Sequence, residues 1–252
     1  MFKIKDICIG LSYKPFIIAE MSGNHNQSLD RALEIVKAAA ATGAHALKLQ
    51  TYTADTLTLD ISEGEFFIED KDSLWEGKSL YELYQEAYTP WEWHETIMQR
   101  ANELGMLCFS TPFDDTAVDF LEELNMPAYK IASFENIHLP LIEKVASTGK
   151  PMIISTGMAS LAEIEDAVAA ARGAGCRELV VLHCVSGYPT PVGEANLRTI
   201  PDLAARLDAP VGLSDHSLGI GAAVDVDHEQ TLFTERGVGL AKVRQEFVAR
   251  LE

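Results

Sequence analysis

Two lysines stand inside short apolar runs, Lys48 in ALKLQT and Lys130 in AYKIAS, where an unpaired ammonium would be costly to bury. A lysine so placed is either kept for chemistry or locked in a structural ion pair, and Glu20, at the end of FIIAE, is the natural partner for such a pair. Hydroxyls end the neighbouring runs: Thr111 after MLCFS, Ser133 after AYKIA, Ser155 closing MIIS and Ser214 closing VGLS. Singly, each suits a turn or a helix N-cap. Together with two lysines they suit a cradle for a phosphate or a carboxylate. His216, in GLSDHS, directly follows Asp215, a setting for a metal ligand or a proton-transfer group. His25, among the turn formers of SGNHN, serves a turn or a substrate contact, and His183 either faces a site or is a satisfied core histidine. Cys108 and Cys184 read as small buried hydrophobes, since no adjacent base marks a nucleophile.

These groups need a scaffold that brings them together. Seven short apolar runs, 16–20, 46–50, 106–110, 128–132, 152–155, 179–184 and 211–214, suit strands buried on both faces. Between them, 29–42, 91–104, 114–124, 139–147, 161–174 and 201–207 carry apolar residues at helical spacing. Ser28 and Ser160 open two of these segments as caps, and Gly43 and Gly175 close them. Repeated strand-helix units imply a parallel sheet, either doubly wound or closed into a TIM-type (β/α)8 barrel. Glu20, Lys48 with Gln50, Thr111, Lys130 with Ser133, Ser155, His183 and Ser214 lie at or just past all seven strand ends, which favours the barrel, where every strand end faces one mouth. The insert 52–89 then crosses that mouth, and its aromatics, at helical spacing, read as packing.

Composition narrows the partners. The chain has 252 residues and a formal net charge of -18, from 38 acidic and 20 basic side chains. Nucleic acid and anionic membrane would be repelled by such a surface, so an anionic substrate must meet a local positive site. The four cysteines lack CxxC spacing, which argues against a zinc site or a disulfide framework and for a reducing cytoplasm. No stretch approaches a membrane span or an export signal.

The motifs AEMSGNHN, LKLQTY, FSTPFD, YKIAS, STGM, HCVSGYPTP, NLRTIPDL and GLSDHSLGIG occur in the order found in the sialic acid synthase group, the phosphoenolpyruvate-dependent nonulosonate synthases, which the chain resembles from about residue 16 to 224. Within that group, KLQTYTADTLTLD and LWEGKSLYELYQEAYTPWEWH are most similar to the pseudaminic acid synthase branch. The resemblance implies a synthase that condenses phosphoenolpyruvate with an N-acetylated amino sugar, a 2,4-diacetamido-2,4,6-trideoxy hexose, and releases phosphate. It implies that Lys48, Lys130, Thr111, Ser133, Ser155 and Ser214 hold phosphoenolpyruvate, and that Glu20 and Gln50 lie near the reacting groups. Ser186 and Tyr188, in HCVSGYPTP, join the substrate contacts, although the position of Ser186 is often asparagine in neuraminate synthases. His216 would bind a divalent metal, commonly Mn2+, with Mg2+ as the other choice. A homodimer is the family's assembly.

The chain departs from this pattern after GLSDHSLGIGAAV. The family continues to an eighth strand bearing a second metal-binding histidine, and then to an antifreeze-like domain, for which no matching segment is present. The expectation is therefore a barrel domain over 1–224, incomplete at the eighth strand and with unpaired edges, followed by a divergent tail over 225–252 that is helical over 235–251. His228 is a candidate replacement ligand, but it follows His216 too closely to sit at the end of a complete helix and strand. Two other functions remain open: an N-acetylneuraminate or legionaminate synthase, and a non-catalytic remnant that binds phosphoenolpyruvate or a partner chain.

Overall fold

The computed structural model describes residues 2–10, 13–69, 75–219, 221–225 and 233–237. Its strands are β1 (Phe2–Ile4), β2 (Ile7–Ile9), β3 (Phe16–Glu20), β4 (Ala46–Thr51), β5 (Leu107–Pro112), β6 (Tyr129–Ile131), β7 (Met152–Ser155), β8 (Leu179–Cys184), β9 (Val211–Asp215) and β10 (Phe233–Gly237). The seven runs expected as strands are β3 to β9, and they pair in parallel in sequence order. The helices are α1 (Leu29–Ala41), α2 (Ala54–Leu57), α3 (Leu80–Ala87), α4 (His94–Glu103), α5 (Asp115–Glu123), α6 (Leu139–Ser147), α7 (Leu161–Gly173), α8 (Thr199–Arg206) and α9 (Gly221–Asp225). The Ser28 side chain accepts from the Arg31 N–H to open α1, and a reciprocal Ser160–Glu163 capping box opens α7. Gly43 and Gly175 follow these helices at φ +79° and +100°, a conformation glycine adopts without Cβ strain.

The ring does not stop at seven strands. β10 lies parallel to both β3 and β9, with Thr234 opposite Ile17 and Leu213, and it closes the barrel. The sequence reading assigns its first residues to the divergent tail after the barrel and Glu235 to Gly237 to a helix. An apolar spacing that fits a helix over a long window does not outweigh two sheet edges whose N–H and C=O groups need partners. The expected unpaired edges of β3 and β9 are accordingly paired. His228 and the remainder of the expected helix lie outside the described residues.

Alternation along the strands sorts the core. Ile18, Ala46, Leu107, Phe109, Ala128, Ile153, Val180 and Leu182 form one buried cluster inside the ring. Phe2, Ile4 and Ile9 join it, so the β1–β2 hairpin, antiparallel with Ile4 opposite Ile7, plugs the end of the barrel at which the strands begin. Side chains of the other parity pack outward on the helices: Leu47, Leu49 and Cys108 against α1 and α4, Tyr129, Ile131 and Ile154 against α5 to α7, and Val181 and Leu213 against α8. Among the described residues no helix is long and apolar enough to cross a membrane.

Candidate active site at the barrel mouth

One register step above the apolar plug, the inward positions become polar. Ile18 is followed by Glu20, Ala46 by Lys48, Phe109 by Thr111, Ala128 by Lys130, Ile153 by Ser155, Leu182 by Cys184 and Gly212 by Ser214. All seven are buried. Lys48 Nζ donates to Glu20 Oε1 at 2.5 Å and to Thr111 Oγ1 at 3.4 Å, and Gln50 Nε2 donates to Glu20 Oε1 at 2.9 Å. The ion pair weighed as the structural alternative for Lys48 is thus present, and it sits inside the candidate site. A pair this deep offsets the desolvation of both charges only with good geometry and further hydrogen bonds, which Gln50 and Thr111 supply.

The hydroxyls gather on the opposite side. Ser155, Ser186 and Ser214 each bury Oγ with no hydrogen-bond partner among the described residues. An orphaned buried hydroxyl costs about 1–3 kcal/mol, and the barrel mouth holds three of them. Ser133 Oγ accepts from the Gly157 N–H at 3.2 Å. A Cβ on Gly157 would stand 2.2 Å from Ser186 Oγ and 2.9 Å from Ser133 Oγ, so the loop after β7 requires glycine to let these serines converge. The STGM turn gave no sign of this, because the two serines come from other strands.

His216 lies just beyond β9, with its ring 4.5 Å from that of Tyr188, which is itself largely exposed. Asp215, its sequence neighbour, accepts the Ser217 N–H at 2.9 Å and the Ser217 hydroxyl at 2.7 Å through Oδ1. The inward neighbour of His216 is Cys184. Burial alone would raise the Cys184 thiol, but hydrogen bonding with His216 and Ser133 and the charges of His216 and Lys130 bring it below the ordinary cysteine range. The reading of Cys184 as a hydrophobe without an adjacent base is therefore corrected; the base comes from the next strand, a distance in sequence that spacing does not reveal. Cys108 faces outward, and burial pushes its thiol up to about 12, as expected of an inert packing residue. Among the described residues no three His, Cys, Asp or Glu side chains are grouped to hold a metal ion, so His216 and Cys184 do not make a metal centre by themselves.

Two histidines lie elsewhere. His183 points outward and pairs Nε2 with the Ala195 carbonyl at 2.8 Å, a satisfied core histidine. His25 is fully buried, accepts the Gln27 N–H at Nδ1 and pairs Nε2 with Thr89 Oγ1 at 3.1 Å, which makes it the clasp between the β3 loop and the end of the insert.

Glu135, in the loop after β6, was not anticipated. Its Oε2 is buried without a hydrogen-bond partner among the described residues. Burial pushes the carboxyl up to about 7, against the lowering effects of its own backbone N–H and of Lys130. The Glu135 charge also helps to raise the phenol of Tyr84, on α3 of the insert, after burial has done so. In the sequence ASFEN, Glu135 is indistinguishable from a solvated loop acid.

The family model described as the NeuB family matches residues 35–228. The chain is 45% identical over 205 residues to a pseudaminic acid synthase of Helicobacter pylori, a match that covers 81% of this chain and 60% of the relative. It is 39% identical over 216 residues to an N,N'-diacetyllegionaminic acid synthase of Legionella pneumophila, covering 84% of this chain and 60% of the relative. The chain thus spans about 60% of the length of these curated relatives. The crystal structure of N-acetylneuraminic acid synthetase from Leptospira borgpetersenii in complex with citrate superposes with a TM-score of 0.82 at 31% identity, covering 97% of this chain and 80% of that one.

Proposed function

We propose, since the chain belongs to the NeuB family, that its barrel mouth binds phosphoenolpyruvate and condenses it with an open-chain N-acetylated amino sugar to a nine-carbon ulosonic acid, releasing phosphate. The observation that carries this reading is the set of orphaned hydroxyls on Ser155, Ser186 and Ser214, placed in the same mouth as Lys130 and Lys48. An acidic protein that assembles buried cations with free donors is built to take a small anion out of water. Ser133 and Thr111 complete the cradle, and Lys48, already bonded to Thr111, links it to Glu20 and Gln50. The lysines stabilise phosphate charge as the C–O bond breaks. Tyr188, exposed beside His216, is the side chain we assign to the sugar, a reading supported by its ring contact with that histidine.

The sugar is read as a 2,4-diacetamido-2,4,6-trideoxy hexose and the product as pseudaminic acid. The identity to the Helicobacter pylori protein exceeds that to the Legionella pneumophila one, which supports this branch over the legionaminate or neuraminate alternative. The divalent metal assigned to His216, manganese or magnesium, would polarise the aldehyde as a Lewis acid. A homodimer working in a reducing cytoplasm, where the four cysteines stay free, belongs to the same proposal. The test is phosphate release with phosphoenolpyruvate, manganese and each candidate sugar. Release with the trideoxy sugar alone is the expected outcome; no release with any sugar leaves a binding protein without turnover. By calorimetry, Lys130→Ala should weaken phosphoenolpyruvate about 10- to 100-fold, the range for a lost charge-assisted hydrogen bond. Unchanged affinity would sink the cradle.

A further inference from the structure

Helix α3 of the insert is fastened at both ends. A reciprocal Ser79–Glu82 capping box closes its start, and Tyr81, in its first turn, donates its hydroxyl to Asp55 Oδ1 on α2 at 2.8 Å. The loop after β3 grips its far end: Gln27 Nε2 donates to the Glu86 and Tyr88 carbonyls at 3.1 and 2.6 Å, and a Cβ on Gly23 would stand 2.9 Å from the Ala87 carbonyl oxygen. Tyr84, in the middle of α3, packs edge-on against Tyr52, just past the end of β4, with ring centroids 5.7 Å apart. Tyr52 packs in the same way on Phe113, just past β5, at 5.3 Å. Tyr84 is half-buried, and its hydroxyl makes no hydrogen bond among the described residues. The phenol keeps its proton, because burial and then the charge of Glu135, in the loop after β6, both oppose its loss. From this juxtaposition of a fixed helix, an aromatic wall and an unspent donor we infer that Tyr84 is a specificity residue for the sugar, donating its phenol proton in a hydrogen bond to the carbonyl oxygen of the acetamido group on carbon 4. The role rests on the synthase reading above.

Position selects the group that Tyr84 meets. The acetamido group on carbon 2 of the sugar sits beside the aldehyde and must follow it to the phosphoenolpyruvate cradle, which is built from inward residues within the strands. Tyr84 stands further out, packed on a ring that begins where β4 ends, so it faces the carbons beyond. Chemistry selects the same group. An acetamido substituent carries a carbonyl acceptor and a methyl, and a phenol O–H backed by aromatic rings offers a partner to each. A hydroxyl on carbon 4 lacks both the carbonyl and the methyl, so a sugar bearing one gains neither contact, and a site built around a hydrogen bond disfavours the analogue that cannot make it. Because α3 is held at both ends, the donor is in place before the sugar arrives and little ordering opposes binding.

Tyr84→Phe removes the donor and keeps the ring, so the packing on Tyr52 survives. For the trideoxy diacetamido sugar, KM should rise about 5- to 15-fold, the loss expected of a neutral hydrogen bond. The kcat should stay within about threefold and phosphoenolpyruvate affinity by calorimetry within about twofold, the pattern of a contact made equally in ground and transition states. The analogue with a hydroxyl in place of the acetamido group on carbon 4, followed as substrate or as competing inhibitor, should be handled alike by variant and wild type. An unchanged KM for the diacetamido sugar, or a loss carried by kcat alone, overturns the inference and leaves the synthase reading standing. So does an equal loss with the hydroxyl analogue, which would assign Tyr84 to a group that both sugars share. A parallel fall in phosphoenolpyruvate affinity overturns it too, by making Tyr84 a support for the whole mouth. Absence of phosphate release from the wild-type protein with any sugar removes the synthase reading and this inference with it.

Discussion

At the scale of single residues, the mouth is assembled from side chains whose neighbours in space are remote in sequence. Gly157 shows this most directly, since the atom it lacks would collide with Ser186 and Ser133, on the loops after β8 and β6. Gly157→Ala should separate those two hydroxyls and weaken phosphoenolpyruvate about tenfold by calorimetry, because overpacking a close approach costs about 1–3 kcal/mol. Unaltered affinity would mean that the serines can part without loss to the cradle. Lys48 and Lys130 were readable in the sequence because a charged residue inside an apolar run is unusual, and Thr111, Ser155 and Ser214 because they end such runs. Glu135 and the Cys184–His216 contact were not. What distinguishes them is burial and partnership, and these are set by which strands lie side by side.

At the scale of elements, α4 is fastened to the sheet by a buried polar chain. His94, at the start of α4, pairs Nε2 with Thr51 Oγ1 at 2.8 Å and Nδ1 with the Pro90 carbonyl at 3.3 Å, and Thr51 Oγ1 pairs with Ser110 Oγ at 2.6 Å. The network assigns the tautomer: Nδ1–H donates to Pro90, so Nε2 accepts from Thr51. Burial lowers His94 to about 4. An unfolded histidine, at 6.5, takes up its proton first, so the neutral ring stabilises the fold fully above that pH. This contribution is lost as pH falls from 6.5 towards 4, at about 1.4 kcal/mol per pH unit. Urea unfolding of wild type and His94→Gln across that window should show the steeper acid loss in wild type; parallel curves would mean that the chain tolerates a charged His94. The strands and helices were legible because each carries its own period and caps. The β1–β2 hairpin and β10 were not, since what fixes them is remote in sequence: β1 and β2 cover the end of the barrel, and β10 pairs with two strand edges.

At the scale of the molecule, the two ends of the barrel have separate tasks. The closed end is apolar, filled by Phe2, Ile4 and Ile9 over the inward residues of the strands. The open end carries the charges and hydroxyls. Ile4→Ala, at a fully buried site, should lower stability by about 2–5 kcal/mol in chemical denaturation. Phosphoenolpyruvate affinity should be unaffected, because the substitution lies at the other end of the strands. A joint loss of stability and affinity would show that the plug also shapes the mouth.

The strand that closes the ring is β10, and its neighbour across the closure is β3, the first strand of the barrel. During synthesis β3 leaves the ribosome long before its partner has been made. At about 5–20 residues per second the wait is on the order of ten to forty seconds. Throughout that interval one edge of the nascent barrel offers open hydrogen-bonding groups to any chain nearby, so the stage of its life at which this protein most needs a chaperone is before residue 237 has been added.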